Sequence, residues 1–249
     1  VAMEPPNSFD AESVRDEKAK LVKAIRPVQP DHAVRAQYTA GTVEGAEKRD
    51  YRAEPNVSPD STTETYVALT LAIENWRWAG VPFYLRTGKH LAERRTEIVV
   101  AFRPAPYRLF PETTPEDVAT NLVRLQVDPV QGATTEFNAK VPGPAMRLGT
   151  VRTTFRYEDF FGAAPNVGYE TLLYDCMIGD TTLFQRADAI EAAWAAVQPL
   201  LDAWYGEGSD APPPATYPSG GSGPEEADRL VDRDGRRWMA LGHATTRPD

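Results

Sequence analysis

Hydrophobic and polar positions alternate most regularly in "TYVALTLAIENW" (65–76). Val67, Leu69, Leu71 and Ile73 make one face, and Tyr66, Ala68, Thr70 and Ala72 make a milder second one. A period of two predicts a half-buried strand. Shorter runs predict strands over 32–38, 82–87, 96–103, 121–127, 134–140 and 150–157. A period near 3.6 takes over at the two ends of the chain. In 13–25, Val14, Leu21, Val22 and Ile25 share a helical face that stops before Pro27. Helices are predicted again over 169–179, closed by Gly179, over 188–204, and over 224–235, with Pro224 in the first turn. In 188–204, Asp188 and Glu191 read as a capping-box pair, and Trp194, Val197, Leu201 and Trp204 as the inner face. Pro199 predicts a kink or a break there. The Gly-, Pro-, Asp- and Asn-rich stretch 41–61 reads as a loop, and 206–224 as an extended surface segment with no regular element. The sum is one α+β domain over 1–249: a large, mostly antiparallel sheet of about six to eight strands with helices packed on one face.

Charge and composition narrow the function. A net charge of −9 argues against general nucleic-acid binding, which needs a basic face. No window approaches the ~18–20 apolar residues of a membrane span, and no segment has the order of a signal peptide. The single cysteine, Cys176, has no partner for an internal disulfide, fits a reducing cytoplasm, and is expected to be a buried helix residue. Val1 is not an initiator methionine, and "VAMEPP" reads as a helix end stopped by Pro5 and Pro6. The chain therefore reads as the later part of something longer, or as a processed product.

Catalytic chemistry is scarce. His32, His90 and His243 show no metal-ligand spacing, so no metal site is expected. His32 reads as the start of a strand, His90 as a solvated loop residue and His243 as part of a frayed tail. There is no G-x-S-x-G and no supported Cys–His pair. "GSG" (221–223) precedes a predicted helix but follows no predicted strand, which makes it a poor dinucleotide loop. What stands out is "YLRTGKHLAERRTE" (84–97). Arg86, Lys89, Arg94 and Arg95 crowd a turn between two strands, with Glu93 the only acid inside it. Lys89 offers a mobile point charge and Arg94 a planar fork suited to phosphate. An anionic ligand and a solvated hairpin tip both explain the cluster, and spacing alone leaves both open.

The chain resembles the glucose-6-phosphate dehydrogenases. The resemblance is carried in order by "RDEKAKLVKAIRPV" (15–28), "RAQYTAG" (35–41), "SPDSTTETYVALTLAIENWRWAGVPFYLRTGK" (58–89), "KVPGP" (140–144), "YETLLYD" (169–175), "DAIEAAW" (188–194) and "GPEEADRL" (223–230). It covers the C-terminal, substrate-contacting and dimerisation domain of that family, without the N-terminal nucleotide-binding domain. The family oxidises glucose 6-phosphate at C1 to a lactone and passes hydride to NADP, or in some members NAD. The resemblance implies that the catalytic His, its assisting Asp, the coenzyme fingerprint and the His-Tyr-Leu-Gly-Lys motif all lie upstream of Val1. No catalytic and no coenzyme-binding residue is then expected in this chain. It places the family's two basic substrate contacts on Lys89 and Arg94, with Arg95 facing outward. Asp128-Pro129 stands where many members have a Gln-Pro whose Gln contacts the sugar. A carboxylate there can accept from hydroxyls but repels a phosphate. Some members hold a second, structural NADP. At the matching positions this chain has Val99, Gln126, Thr134 and Glu136, so that site is not expected. The milder face of 65–76 is expected to pair two copies, as the family's sheet does, into a dimer or tetramer. The other reading is a non-catalytic association module that keeps the sheet and has lost the chemistry.

Overall fold

The computed structural model describes residues 1–104, 120–162 and 168–240. In chain order the elements begin with helix α1 (Ala11–Lys23) and strands β1 (Ala33–Thr39), β2 (Gly41–Val43), β3 (Ala46–Lys48), β4 (Tyr66–Ala72) and β5 (Pro82–Gly88). Strands β6 (Thr96–Ala101), β7 (Leu122–Asp128), β8 (Gly132–Lys140) and β9 (Leu148–Arg156) follow. Helices α2 (Tyr157–Phe161), α3 (Tyr169–Ile178) and α4 (Ala187–Tyr205), strand β10 (Ala215–Pro218) and helix α5 (Glu225–Asp232) complete the chain. They form two compact units, one of Val1–Glu93 with Val167–Trp238, the other of Arg94–Asn166 with Met239–Asp249.

The α+β class and the antiparallel pairing agree with the sequence pattern. The strands, however, are shared between two four-stranded sheets, β10-β1-β4-β5 and β6-β7-β8-β9, and a β2-β3 hairpin. The hairpin lies in the stretch read as a loop. It turns at Glu44-Gly45, both at positive φ, which is the turn whose twist matches paired strands. Segment 206–224 is corrected in the same way. Its residues Ala215–Pro218 run parallel to β1, with Tyr38 opposite Tyr217, and Tyr217 is fully buried.

In the first unit the sheet has a core on each side. Tyr66 and Ala68 of β4 pack with Ala36, Tyr38, Tyr217 and with Ala227 and Leu230 of α5. Leu69 on the opposite face packs with Val28 and Leu200 of α4, with Val67, Leu71 and Trp204 at the edge. Helices thus cover both faces, and the milder face of β4, expected to be open for association, is closed at Tyr66 and Ala68. Helix α4 runs through Pro199 without a break. Its buried residues are Ala189, Ala196 and Leu200, whereas Trp194 is exposed. Small side chains let α1, itself burying Ala19, come close. Asp188 does not cap α4. It accepts from Arg186 and from Lys23 of α1 at 2.9 Å, and Arg186 also donates to Asp16. Donation from Arg186 holds the Asp188 carboxyl well below the usual carboxylate range. Helix α3 is inverted, with Asp175 buried and Tyr169, Leu173, Tyr174, Met177 and Ile178 exposed. Cys176 is also exposed, contrary to expectation.

The sheet of the second unit has two unlike faces. Register puts Glu97, Val99, Leu122, Arg124, Gln126, Thr134, Glu136 and Arg152 on one side. There Arg124 Nη1 donates to Glu97 Oε1 at 3.1 Å and to the Ala240 carbonyl at 2.9 Å, and Arg152 pairs with Glu136 at 2.9 Å. The other side carries Ile98, Val127, Phe137 and Val151, all large, apolar and exposed.

Candidate functional site

The basic stretch leaves β5 at Gly88. A Cβ at Gly88 would stand 2.6 Å from the Tyr66 ring, so only glycine lets the turn lie on that core. The four cations then separate. Arg86 stacks 4.8 Å over the Trp238 ring, a structural contact. Lys89 is exposed, and among the described residues no ion pair involves its ammonium. Both belong to the first unit. Arg94 and Asp128 belong to the second, where Arg94 Nε approaches Asp128 Oδ2 at 3.3 Å with the side chains 86% and 45% exposed. A pair this open contributes at most about 1 kcal/mol. Asp128 therefore stands next to a cation, with its carboxylate still partly open to solvent. Arg95 does not face outward. It is half-buried, with its Nε enclosed.

The backbone around Lys89 is tightly held. Its N–H donates to the Thr65 carbonyl at 2.9 Å, and its carbonyl accepts from the Tyr217 hydroxyl at 2.7 Å. His90 is not a solvated loop residue. It is half-buried, adopts φ 49° and lies with its ring centroid 4.4 Å from that of Tyr38. His32 sits in an exposed turn beside Asp31 at 3.9 Å, and His243 lies outside the described residues.

The glycine-rich loop does follow a strand, β10, and leads into α5. Even so, the N–H groups at its start are spent inside the protein. Gly220 N–H donates to the His90 carbonyl at 2.8 Å and Gly221 N–H to Pro218 at 3.0 Å. Helix α5 opens with Glu225, Glu226 and Asp228, which repel a phosphate. The loop does not fit a coenzyme pyrophosphate. The second-NADP positions fit no better. Val99, Gln126, Thr134 and Glu136 share one sheet face, where the carboxylates of Glu97 and Glu136 already hold Arg124 and Arg152. Among the described residues no group of three His, Cys, Asp or Glu could hold a metal ion, and no helix is long and apolar enough to cross a membrane. A cleft of about 860 Å³ lies at the Pro82 end of β5, lined by Trp76, Trp78 and the Arg26–Glu74 pair, and is thus at the opposite end of the strand from Lys89.

An α+β chain with an exposed lysine on a fixed loop and no coenzyme loop of its own among the described residues is the class these features define. The family described as Glucose-6-phosphate dehydrogenase, C-terminal domain, matches residues 1–239, and the chain belongs to it. The chain is 44% identical over 244 residues to the Glucose-6-phosphate 1-dehydrogenase of Chlamydia pneumoniae, covering 97% of this chain and 47% of that protein. It is 44% identical to that of Mycolicibacterium smegmatis, covering 96% and 48%. Among solved structures, a glucose-6-phosphate dehydrogenase in complex with its substrate glucose-6-phosphate superposes with a TM-score of 0.84 at 33% identity, over 96% of this chain and 48% of that one. The chain spans about half the length of the curated relatives it matches.

Sequence reasoning missed Tyr217, the residue that grips Lys89 from 128 positions away. The one available signal was "TYPSGG" itself, an aromatic between β-branched and turn residues in a stretch otherwise read as irregular.

Proposed function

We propose that this chain is the sugar-phosphate-binding half of a cytoplasmic glucose-6-phosphate dehydrogenase. The whole enzyme oxidises D-glucose 6-phosphate to 6-phospho-glucono-lactone, the first step of the oxidative pentose phosphate pathway, with NADP, or in some members NAD, as hydride acceptor. The observation that carries this reading is the 0.84 TM-score to a dehydrogenase bound to that sugar phosphate. The exposed Lys89, in no ion pair among the described residues, supports it. Lys89 and Arg94 bind the substrate anion, and Asp128 tempers Arg94. The base on the C1 hydroxyl and the nicotinamide site belong to the half that this chain does not include, so residues 1–249 alone transfer no hydride. Reduction of NADP by the pure chain with glucose 6-phosphate would overturn that. In the full-length protein, Lys89→Ala and Arg94→Ala raise KM for glucose 6-phosphate by the equivalent of about 1.5–3 kcal/mol, with kcat little changed. The effect is smaller for free glucose. Equal effects on both sugars mean that the cations do not meet the phosphate.

Self-association belongs to the same reading, but through a different face from the one the sequence suggested. The apolar side of the β6-β7-β8-β9 sheet, with Ile98, Val127, Phe137 and Val151, is the surface a second copy covers. Among the described residues, the Arg94–Asp128 pair favours a non-catalytic association module, because it weakens a proposed substrate contact. Unchanged glucose 6-phosphate binding in both Ala variants would favour that alternative.

A further inference from the structure

We propose that Tyr217 and the Gly220–Gly221 turn are positioning residues for Lys89, forming a clamp that fixes the backbone from which the lysine reaches its anion. This rests on the reading of Lys89 as a substrate contact and adds what aims it.

Four backbone groups of the 89–92 turn are held from outside it. Lys89 N–H donates to Thr65, and Tyr217 donates to the Lys89 carbonyl at 2.7 Å. Gly220 N–H donates to the His90 carbonyl at 2.8 Å, and Ala92 N–H to the Gly221 carbonyl at 3.0 Å. Three of the four come from β10 and the turn after it. The parallel pairing of β1 and β10 sets Tyr38 opposite Tyr217. One of these tyrosines therefore meets the His90 ring and the other meets the carbonyl just before it. His90 stands at φ 49°, a conformation that a residue with a side chain adopts only where its surroundings enforce it. The tyrosine end of the clamp is rigid. Tyr217 is 1% exposed, its ring centroid is 5.4 Å from that of Tyr66, and Gly88 and Gly223 both lie too close to the Tyr66 ring to carry a Cβ. Burial raises the Tyr217 hydroxyl above its ordinary pKa, so it stays protonated and remains a donor at neutral pH.

A lysine is a flexible point charge. Its placement is only as good as the direction of its Cα–Cβ bond, and a clamp on the N–H and carbonyl of that residue sets the direction. The same clamp takes up the Gly220 N–H of the glycine-rich loop, which points to the turn that carries the charge rather than to a phosphate.

The test uses the full-length protein, with glucose 6-phosphate as the probe and calorimetric affinity beside KM and kcat. Tyr217→Phe keeps the ring and removes the donor. The affinity should fall about five- to ten-fold, the loss of one neutral hydrogen bond's worth of order, with kcat unchanged. Lys89→Ala should weaken binding, and Tyr217→Phe should add nothing in that background. His90→Gly, which disturbs no buried hydroxyl, should reproduce the loss by freeing the turn, and His90→Asn, which tolerates positive φ, should restore it. This second variant carries the test if Tyr217→Phe fails to fold. Equal weakening by Tyr217→Phe with and without Lys89 would sink the clamp and leave Lys89 as a contact. So would full affinity in Tyr217→Phe and His90→Gly while Lys89→Ala still weakens binding. If Lys89→Ala itself binds normally, the reading of Lys89 falls and the clamp goes with it.

Discussion

The two four-stranded sheets use opposite solutions to the same problem. The β10-β1-β4-β5 sheet buries apolar residues on both faces, under α5 on one and α4 on the other. The β6-β7-β8-β9 sheet buries Arg124, Thr134 and neighbouring carboxylates on one face and leaves Phe137 and Val151 open on the other. A sheet in water normally places the apolar face inward. The first sheet is complete in itself and suits a rigid support for Lys89. The second is held by charges that neutralise one another, and its apolar face is open.

Breaking each sheet at its centre gives the largest effects. Tyr66→Ala empties the first core, since Tyr66 is 1% exposed and touches Tyr217, and the cost is about 3–5 kcal/mol in chemical denaturation. Arg124→Ala leaves Glu97, with a side chain only 6% exposed, as an uncompensated buried charge, at about 3 kcal/mol. The contrast between the sheets lies in the rescue. Arg124→Met combined with Glu97→Leu and Glu136→Leu should recover most of the stability, because a buried ion network is replaceable by apolar groups of similar volume. No polar combination should rescue Tyr66→Ala. Failure of the triple variant to recover would show that the network has a role beyond holding the sheet.

Much of this was legible in the pattern, and the misses share a cause. The alternation of 65–76 located β4 correctly, yet alternation says only that two faces differ. It does not say that α5, about 160 residues later, will close the milder one. In α4 the sequence pattern points to large side chains as the core, whereas Ala189 and Ala196 are inside, with the Ala196 carbonyl accepting from the Val28 N–H at 2.8 Å. Strand β10 is four residues long and pairs with a partner far away in sequence, so no local period marks it. Of the candidate site, Lys89, Arg94 and Asp128 are pointed to by charge and resemblance. The clamp is not, because a tyrosine hydroxyl on a carbonyl leaves no sequence signature.

A smaller effect tests what the open face is for. Phe137 and Val151 are register partners on β8 and β9, both about two-fifths exposed. Phe137→Glu or Val151→Lys puts a charge in the middle of the proposed contact between copies. Sedimentation should show at least a ten-fold weaker association, equivalent to about 1.4 kcal/mol, while monomer stability moves by about 0.5 kcal/mol or less. Unchanged association in both variants would assign the face to another partner and break the contrast between a self-sufficient sheet and one that needs a neighbour.

The smallest effect comes from the carboxylate beside one of the two proposed anion contacts, which divide between the units as the sheets do. Among the described residues the Lys89 ammonium is in no ion pair, whereas Arg94 already meets Asp128 at 3.3 Å. An anion arriving at Lys89 displaces only water. At Arg94 it must share the guanidinium with a carboxylate or push that carboxylate away, and the like charge of Asp128 opposes its approach. Both side chains of the pair are well exposed, so solvent screens the competition. Asp128→Asn removes the charge and keeps the shape. Glucose 6-phosphate should then bind about two- to five-fold tighter, within the ~1 kcal/mol that an exposed pair can contribute. The gain should vanish in an Arg94→Ala background and shrink as salt is raised. Free glucose, which has no phosphate to repel, should gain nothing. If it loses affinity instead, Asp128 accepts from sugar hydroxyls, and the carboxylate is a substrate contact in its own right rather than a brake on Arg94.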